Sequence, residues 1–346
     1  MLYLFSSNAQ PQYSQDILNM IAAPANYEVT FRYDSKYLEL GTASWASITG
    51  EAVMACFVFQ HASEYFAPVV IPVRLGTVVR TRTDGDIHLV TFQVGDYISP
   101  VDPTGSGYGD ILHQIRTKLE SSGVALPYKS YAVLSRFDMV KDPSVKSIAS
   151  ESAAEVFRTI TEYLVRTDTF KSARFVYVSR LFEKGSDKEI PLDNVTGGYK
   201  LTAGREYGLE IVQAQPALVT NTSTVSMIVD GKVLQAIGPS DLQIGSPYDI
   251  ETLRIAALSV SGAQFTTIGI KPGSGVQAAS LDIPVKVVPD SVREVGTAAG
   301  TTAGLMLLGL TSIFTSWAGW TKFGVVAGGA IVAALLNTFG WSKKGL

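Results

Sequence analysis

Two long apolar segments near the carboxyl end of this 346-residue chain constrain its fold more than any other feature. Residues 295–342 contain a single charged side chain, Lys322, which separates the run Val295 to Ser316 from the run Phe323 to Trp341. As helices, these runs would be about 33 Å and about 28 Å long, close to the bilayer hydrocarbon thickness of about 30 Å. Because backbone polar groups must be satisfied inside a membrane, the sequence predicts a helical hairpin that crosses the bilayer twice.

The residues at the ends of the two apolar runs favour the membrane interpretation. Trp317, Trp320 and Trp341 lie at these ends, and amphipathic aromatic rings prefer the membrane interface. The alternative is a buried hairpin inside a water-soluble fold, because apolar helices also form protein cores. The pairing of two runs of bilayer length favours the lipid bilayer as their surroundings.

The distribution of basic residues predicts on which side of the membrane the rest of the chain lies. Two basic residues lie shortly before the hairpin and two directly after it, while Lys322 stands alone between the runs. Basic residues favour the cytoplasmic side. Residues 1–30 also lack the basic and apolar regions of a secretory signal. We therefore expect a protein of the cytoplasmic membrane whose soluble domains and both termini are cytoplasmic.

Small residues recur at every fourth position along both apolar runs. This spacing lets helix backbones approach closely, which promotes helix association in lipid. The residues in this pattern are Gly296, Gly300, Gly304, Gly324 and Gly328. In an antiparallel hairpin the two glycine ridges lie near opposite leaflets, so at least one ridge is available to another copy of the chain. We expect a homo-oligomer that forms through the hairpin.

A few polar residues lie within the apolar runs. Thr311 and Thr315 lie toward the end of the first run, and Asn337 lies in the second. Threonine hydroxyls often hydrogen-bond to their own helix, so these residues are compatible with a simple anchor. A bundle of hairpins could also hold water, because Asn337 prefers a polar partner. The sequence favours the anchor, since glycine is common in membrane helices generally.

The residues before the hairpin are numerous enough for two domains with cores of their own. The predicted fold class is mainly β with accessory helices, followed by the transmembrane hairpin. Residues 1–143 predict a β-rich α+β domain, and residues 144–172 predict an amphipathic linking helix. Short alternating strands in residues 173–290 predict an immunoglobulin-like β-sandwich, and residues 291–346 contain the two-helix hairpin.

Composition and motifs argue against several functional classes. The 28 basic and 31 acidic residues give a net charge of −3, which provides no general attraction to nucleic acid. The single cysteine, Cys56, cannot form an intrachain disulfide and lies in an apolar run that predicts a buried thiol. The sequence shows no spacing typical of a metal site, a P-loop or a hydrolase elbow. We therefore expect no cofactor and no enzymatic activity.

The hairpin from Val69 to Val94 contains the candidate binding surface. Asp84 and Gly85 supply a tight turn of the kind that joins two antiparallel strands. With those two residues as the turn, strand alternation places Arg74, Arg80 and Arg82 on one face, beside Ile87 and Leu89. The opposite, core-facing side of the first strand would then carry Leu75, Thr77, Val79 and Thr81. The basic face predicts a site for a protein partner or a small anionic ligand, although a solvated outer sheet face is the commoner use of such residues.

The arrangement of cytosolic β-rich domains followed by a hydrophobic hairpin is similar to that of membrane-acting effectors of bacterial immune systems. Its hairpin is also similar to that of pore-forming colicins. This resemblance concerns the layout and not individual residues. It implies a binding or sensing protein that oligomerises and then perturbs the membrane. The alternative is a scaffold that recruits other proteins to an intact membrane, and a membrane-associated hydrolase is a third class.

Overall fold

The computed structural model describes residues 2–7, 11–35, 38–39, 45–59, 69–97, 132–137, 153–193, 197–215 and 222–290. These residues are mainly β-strand with few helices, which confirms the predicted β-rich class. The predicted helical hairpin lies outside the described residues.

The strands nearest the amino terminus form one seven-stranded mixed sheet. Its strands are β1 (Leu2–Ser7), β2 (Glu28–Asp34), β3 (Leu38–Glu39), β4 (Ala52–Phe59), β5 (Val69–Asp84), β6 (Ile87–Tyr97) and β7 (Ala132–Phe137). Their order across the sheet is β2-β6-β5-β4-β1-β7-β3. The β1–β4 and β3–β7 pairs are parallel, and the other neighbouring pairs are antiparallel. A 3-10 helix, Trp45–Ile48, precedes β4.

Two α-helices pack beside this sheet. Helix α1 (Pro11–Ala22) buries Ile17 and Ile21, and its first residue is a proline, which suits the first turn of a helix. Helix α2 (Ala153–Leu164) falls within the predicted linking helix. Its buried side chains recur at helical spacing and include Val156, Phe157, Ile160 and Leu164. Both helices are therefore amphipathic elements that cover sheet surface.

The remaining strands form two five-stranded sheets. The strands are β8 (Phe175–Glu183), β9 (Lys188–Ile190), β10 (Tyr199–Thr202), β11 (Glu206–Ala214), β12 (Ser223–Ile228), β13 (Leu234–Ala236), β14 (Asp241–Ile244), β15 (Tyr248–Ala257), β16 (Gln264–Pro272) and β17 (Leu281–Val288). One sheet has the order β10-β17-β16-β12-β14 and the other the order β13-β15-β11-β8-β9. The β10–β17 pair is parallel, and the other neighbouring strands described in these sheets are antiparallel.

The two five-stranded sheets share an apolar core, which makes them a β-sandwich. Burial alternates strictly along the last strand, where Leu281, Ile283, Val285 and Val287 point inward. The facing sheet contributes buried residues such as Leu209 and Ile255. Alternation of this kind is the pattern expected where one side of each sheet faces the core.

Aromatic rings and hydrogen bonds join the seven-stranded sheet to one end of the sandwich. The rings of Tyr97 and Tyr177 make an edge contact with centroids 5.0 Å apart, and Phe157 of α2 lies 5.8 Å from Tyr177. From α1, the Gln15 side chain donates to the carbonyl of Ala278. These contacts fix the seven-stranded sheet against the end of the sandwich where β17 begins.

The chain leaves the sandwich at the opposite end. Strand β17 begins beside α1, where the Ser280 amide donates to Asn19 at 2.8 Å, and ends at Val288, about 23 Å further along. The exit point is held by Arg205, whose guanidinium lies 2.6 Å from the Glu183 carboxylate and 3.8 Å from that of Asp290. The sequence that follows leads directly into the apolar runs.

Candidate functional site

The β5–β6 hairpin contains the basic residues that the sequence singles out, and its turn differs by one residue from the prediction. Asp84 pairs with Ile87, so the two turn residues are Gly85 and Asp86. Gly85 has φ +59°, a conformation in which glycine is favoured. The turn lies one residue later in the chain than expected, so each residue of β5 is paired two positions further along β6. A shift of two positions keeps every side chain near the turn on its expected face. Arg82 therefore still lies on the outer side.

A β-bulge in β5 reverses the faces further from the turn. Val78 pairs with Phe92 and Arg80 pairs with Thr91, which leaves Val79 as an extra residue. Val78 is consequently buried at 1% exposure, whereas Thr77, expected to face the core, is exposed. A bulge leaves no clear mark in a strand with β-branched residues at consecutive positions, so the alternation pattern alone could not locate it.

The bulge separates Arg74 from the other two arginines. Arg74 is only 1% exposed and lies on the same side of β5 as Val78, while Arg80 and Arg82 are exposed on the outer face. The structure therefore does not bring the three arginines together on one face, contrary to the sequence-based expectation. The candidate binding face is reduced to Arg80 and Arg82 with their neighbours.

Arg74 holds together three parts of the fold. Its guanidinium donates through Nε and Nη2 to the carbonyl of Gly95, at 2.9 and 2.6 Å, and through Nη1 to the carbonyl of Ala23 at 3.2 Å. The guanidinium carbon also lies 3.9 Å from the Tyr97 ring centre and 5.8 Å from that of Tyr177. Contacts of this kind compensate a buried cation through hydrogen bonds and aromatic faces.

The position of Arg74 at the end of α1 has an electrostatic reason. Helix carbonyls at a C-terminus lack partners and carry partial negative charge, and the Ala23 carbonyl directly follows α1. Tyr97 donates to the carbonyl of Ile21 in the same last turn. Burial raises the pKa of Tyr97 well above its usual value, although the nearby Arg74 opposes the shift, so the hydroxyl remains a donor. This arrangement is structural rather than a ligand site.

Arg80 and Arg82 lie on an outer face that also carries apolar side chains. Arg80 donates to the carboxylate of Glu28 at 3.3 Å, and Arg82 lies 3.9 Å from Asp84. Ile87 is 41% exposed at the hairpin tip. Exposed ion pairs of this kind contribute little to folding stability. Both arginines can therefore exchange their acidic neighbours for an external anionic group.

His88 forms a hydrogen-bonded pair with Ser35 that superficially resembles an activated nucleophile. Ser35 Oγ lies 2.8 Å from His88 Nε2, and it also donates to the carbonyl of Asp86 at 3.0 Å. Because a carbonyl only accepts, the serine proton is directed there and Nε2 must donate to Ser35. The second ring nitrogen, Nδ1, then accepts from Thr83 Oγ1. This proton arrangement is the reverse of the one that activates a serine.

Among the described residues, no group of three or more histidine, cysteine or acidic side chains is arranged to hold a metal ion. Two titratable groups with raised pKa values, the partly buried Asp16 and the fully buried Cys56, were not singled out as sites by sequence reasoning. Burial raises the pKa of the Asp16 carboxyl on α1 to about 6, although Arg32 opposes the shift. Burial also raises the pKa of the Cys56 thiol well above its usual value. Cys56 is fully buried and free of any disulfide, as its apolar sequence context predicts.

The membrane-related residues predicted from the sequence lie outside the described part of the chain. They comprise the glycine ridges (Gly296, Gly300, Gly304, Gly324, Gly328), the interface tryptophans (Trp317, Trp320, Trp341) and the polar residues Thr311, Thr315 and Asn337. Within the residues that are described, neither helix has the length and apolar character needed to cross a bilayer. The roles of these tail residues remain predictions.

Comparison with known proteins finds partial similarity to solved structures and no match to a family model or a curated sequence. No protein-family model and no curated protein matches the chain. Similar solved structures include domains 4 and 5 of the S-layer protein SbsC, with 17% identity over 32% of this chain and 55% of that one, at a TM-score of 0.19. They also include E. coli alpha-2-macroglobulin, with 11% identity over 34% of this chain and 7% of that one, at 0.20.

A third similar structure is the SrpA adhesin from Streptococcus sanguinis, with 9% identity over 34% of this chain and 59% of that one, at a TM-score of 0.21. The chain thus spans about half the length of the SbsC structure and a small part of alpha-2-macroglobulin. Scores this low describe limited similarity of β-structure, and no function follows from them.

Proposed function

We propose that the protein is a non-enzymatic, membrane-anchored binding protein that oligomerises through a C-terminal helical hairpin. The observation that carries this proposal is the pair of apolar runs in residues 295–342, each of bilayer length and separated by Lys322. The basic residues on either side of the hairpin favour a cytoplasmic location for the β-rich part and for both termini.

The geometry of the described residues supports an anchored arrangement. The chain exits the sandwich at Asp290, which Arg205 holds in place, and the seven-stranded sheet contacts the other end. From Asp290 to Val295 there are five residues, a reach of at most about 18 Å. The sandwich would therefore lie next to the lipid, with the seven-stranded sheet beyond it.

The finer fold assignment that we propose for residues 173–290 is an immunoglobulin-like sandwich. The division of the strands between two packed sheets supports it. One sheet contains β8, β11, β15 and β13, and the other contains β10, β17, β16, β12 and β14. A further support is Tyr207, near the start of β11. Its hydroxyl accepts from the Thr202 amide at 2.7 Å and donates to the Thr202 carbonyl at 3.1 Å, as in the tyrosine corner of that fold.

The exposed face around Arg80 and Arg82 is the proposed contact for a protein partner or a small anionic ligand. The two guanidinium groups are exposed beside Ile87, which combines charge with apolar area on one surface. Arginine with exposed apolar side chains is the composition favoured at protein interfaces. Nucleic acid is an unsuitable partner, because the chain carries a net charge of −3.

Truncation directly before Pro289 tests the anchor. The full chain should sediment with membranes and resist extraction by high salt, while the truncated chain should remain in the supernatant after cell lysis. A full chain that is fully soluble without detergent would contradict the proposal. The matched control removes only residues 343–346, which leaves both apolar runs intact.

A dye-release measurement separates the two forms of this function. An effector, in which gathered hairpins permeabilise the bilayer, should release a small dye from vesicles as protein density rises. A scaffold that recruits partners should oligomerise while the vesicles remain intact. The effector form is supported by Thr311, Thr315 and Asn337, because a bundle of hairpins could hold water beside these polar residues.

A further inference from the structure

Two lysines and an aromatic ring form a row across the outer face of the sandwich near the chain exit. Lys200 of β10 pairs with Lys286 of β17, and Lys286 pairs with Phe265 of β16. Paired residues lie on the same face of a sheet, and neighbouring strands are about 4.8 Å apart. We name these three residues the lysine–phenylalanine row.

The two lysines of the row repel each other in the protein on its own. Like charges directly opposite each other on neighbouring strands repel. Neither Lys200 nor Lys286 forms an ion pair with another described residue, whereas Lys271 on the same sheet is bonded to Asp282 at 2.6 Å. Phe265 is 72% exposed, with the Lys286 ammonium 5.4 Å from its ring centre. The ring attracts the Lys286 ammonium only weakly in this exposed setting, and neither lysine has an acidic partner among the described residues. Such a cationic pair beside an exposed ring favours an anionic and partly apolar partner.

The location of the row identifies that partner. Lys286 is two residues before Val288, the last residue of β17, so the row lies about 7 Å from the strand end. The first apolar run begins no more than about 18 Å beyond Asp290. Aromatic rings prefer the interfacial region of a bilayer, and lysines are attracted to anionic headgroups.

We propose that the lysine–phenylalanine row docks the sandwich onto anionic phospholipid headgroups. This inference rests on the proposed membrane anchor. Lys200 and Lys286 contact lipid phosphates, and the Phe265 ring enters the headgroup layer. Docking relieves the repulsion between the two lysines. The row also determines which face of the sandwich meets the lipid, whereas the tail alone leaves the sandwich free to rotate.

The test uses the full chain in vesicles and a fluorescent label on an introduced cysteine. Cys56 is fully buried, so the label reports the new position. Thr267→Cys places it on the same face as Phe265, two residues away along β16. Ser246→Cys is the matched control, because Ser246 is also exposed but lies in the turn before β15, at the other end of the sandwich. The quencher is a phospholipid with a nitroxide on its headgroup.

Docking predicts stronger quenching at position 267 than at position 246 in an equal mixture of phosphatidylcholine and phosphatidylglycerol. The difference should shrink in phosphatidylcholine alone and in high salt. In the labelled chain, Lys200→Ala and Lys286→Ala should each lower the ratio of docked to undocked protein about fivefold. Lys171→Ala, which removes an exposed lysine at the far end, should leave that ratio unchanged.

Flotation of the same samples on a density gradient separates the possible failures. Protein that floats with vesicles but shows equal quenching at both positions overturns the docking inference and leaves the anchor intact. Protein that does not float overturns the anchor and the inference together. A label at position 267 that is shielded from water equally in detergent and in vesicles, without quenching, identifies a second copy of the chain as the occupant and also overturns lipid docking.

Discussion

The guanidinium carbon of Arg74 lies 3.9 Å from the centre of the Tyr97 ring, and both side chains are buried. Tyr97 in turn contacts Tyr177 of the sandwich at a centroid distance of 5.0 Å. The cation thus lies where the seven-stranded sheet, the end of α1 and the sandwich meet. A residue that the sequence suggests as a ligand contact serves instead to join parts of the fold.

Replacing Arg74 with methionine should therefore destabilise the protein. The substitution removes the contact with the Tyr97 ring and the guanidinium hydrogen bonds to the partly buried carbonyl of Gly95 and the buried carbonyl of Ala23. The relief from burying a charge opposes this loss. We expect a net decrease of about 2 kcal/mol in the free energy of unfolding, measured by denaturant titration of the full chain in detergent.

Arg80→Met is the control for that experiment, because Arg80 is exposed and its ion pair with Glu28 is solvated. It should change the free energy of unfolding by less than about 0.5 kcal/mol. Equal stability of the Arg74 and Arg80 variants would show that the buried guanidinium does not hold the seven-stranded sheet, the end of α1 and the sandwich together.

The sequence predicts the elements that have strong local patterns and misses those that depend on distant contacts. The amphipathic helix expected within residues 144–172 is found as α2, and the alternating strands expected in residues 173–290 form the two sheets of the sandwich. In contrast, β9 and β13 have three residues each and were not predicted. A strand of three residues is too short to show a periodic pattern, and its position in the sheet is determined by the neighbouring strands.

Two features of the amino-terminal sheet cannot be predicted from the residue pattern, each for a different reason. Strand β1 pairs in parallel with β4, and a parallel partner fifty residues away leaves no turn signal in the sequence. The bulge at Val79 reverses the faces of β5 and moves Arg74 inside. The expected exposure is therefore found for Arg80 and Arg82, whereas Arg74 is buried.

Asp16→Asn should increase stability above about pH 6 and have little effect below about pH 4. Burial raises the pKa of the Asp16 carboxyl from 3.8 to about 6 in the folded protein. An acid with a raised pKa binds its proton more tightly when folded, so the cost to stability grows as the pH rises from the unfolded to the folded pKa and is fully present above the folded value. Allowing for partial exposure, we expect a gain of about 1 to 2 kcal/mol at neutral pH.

The check for Asp16 is the difference in free energy of unfolding between the variant and the parent chain across the pH range. This difference should rise between about pH 4 and about pH 6 and then stay constant. Comparing the two chains cancels the titration of other groups. One such group is Asp230, whose pKa burial would raise, although hydrogen bonds from the backbone around Val233 lower it overall. A flat difference would mean that Asp16 is solvated.

Tyr207→Phe should weaken the sandwich through the loss of its hydroxyl group. That hydroxyl accepts from the Thr202 amide and donates to the Thr202 carbonyl, and Tyr207 is 1% exposed. Both backbone groups would lose their partner, which should cost about 1 to 2 kcal/mol in denaturant unfolding. Tyr27→Phe is the comparison, because its hydroxyl donates to the Asp282 carbonyl in an exposed setting and should cost less. A larger effect at Tyr27 would contradict this order.

Cys56 should not react with a thiol reagent in the folded protein. It is 0% exposed, and burial raises the pKa of its thiol, so the thiolate that attacks such reagents is scarce. Absorbance of Ellman's reagent at about pH 8 should show no reaction until denaturant unfolds the chain. The Thr267→Cys variant provides the positive control with an exposed thiol. Rapid reaction of the parent chain would show that β4 opens readily.

Gly300→Leu combined with Gly304→Leu should convert oligomers in detergent to monomers. Glycines spaced by four let helix backbones approach, and leucine side chains at these positions would hold neighbouring helices apart. Ala298→Leu is the control, because residue 298 is about 200° around a helix from residue 300 and so lies off the ridge. Size-exclusion chromatography with light scattering measures the oligomer mass. If the double variant keeps the parent mass, the first glycine ridge is not the contact between protomers, and the second ridge at Gly324 and Gly328 becomes the surface to substitute.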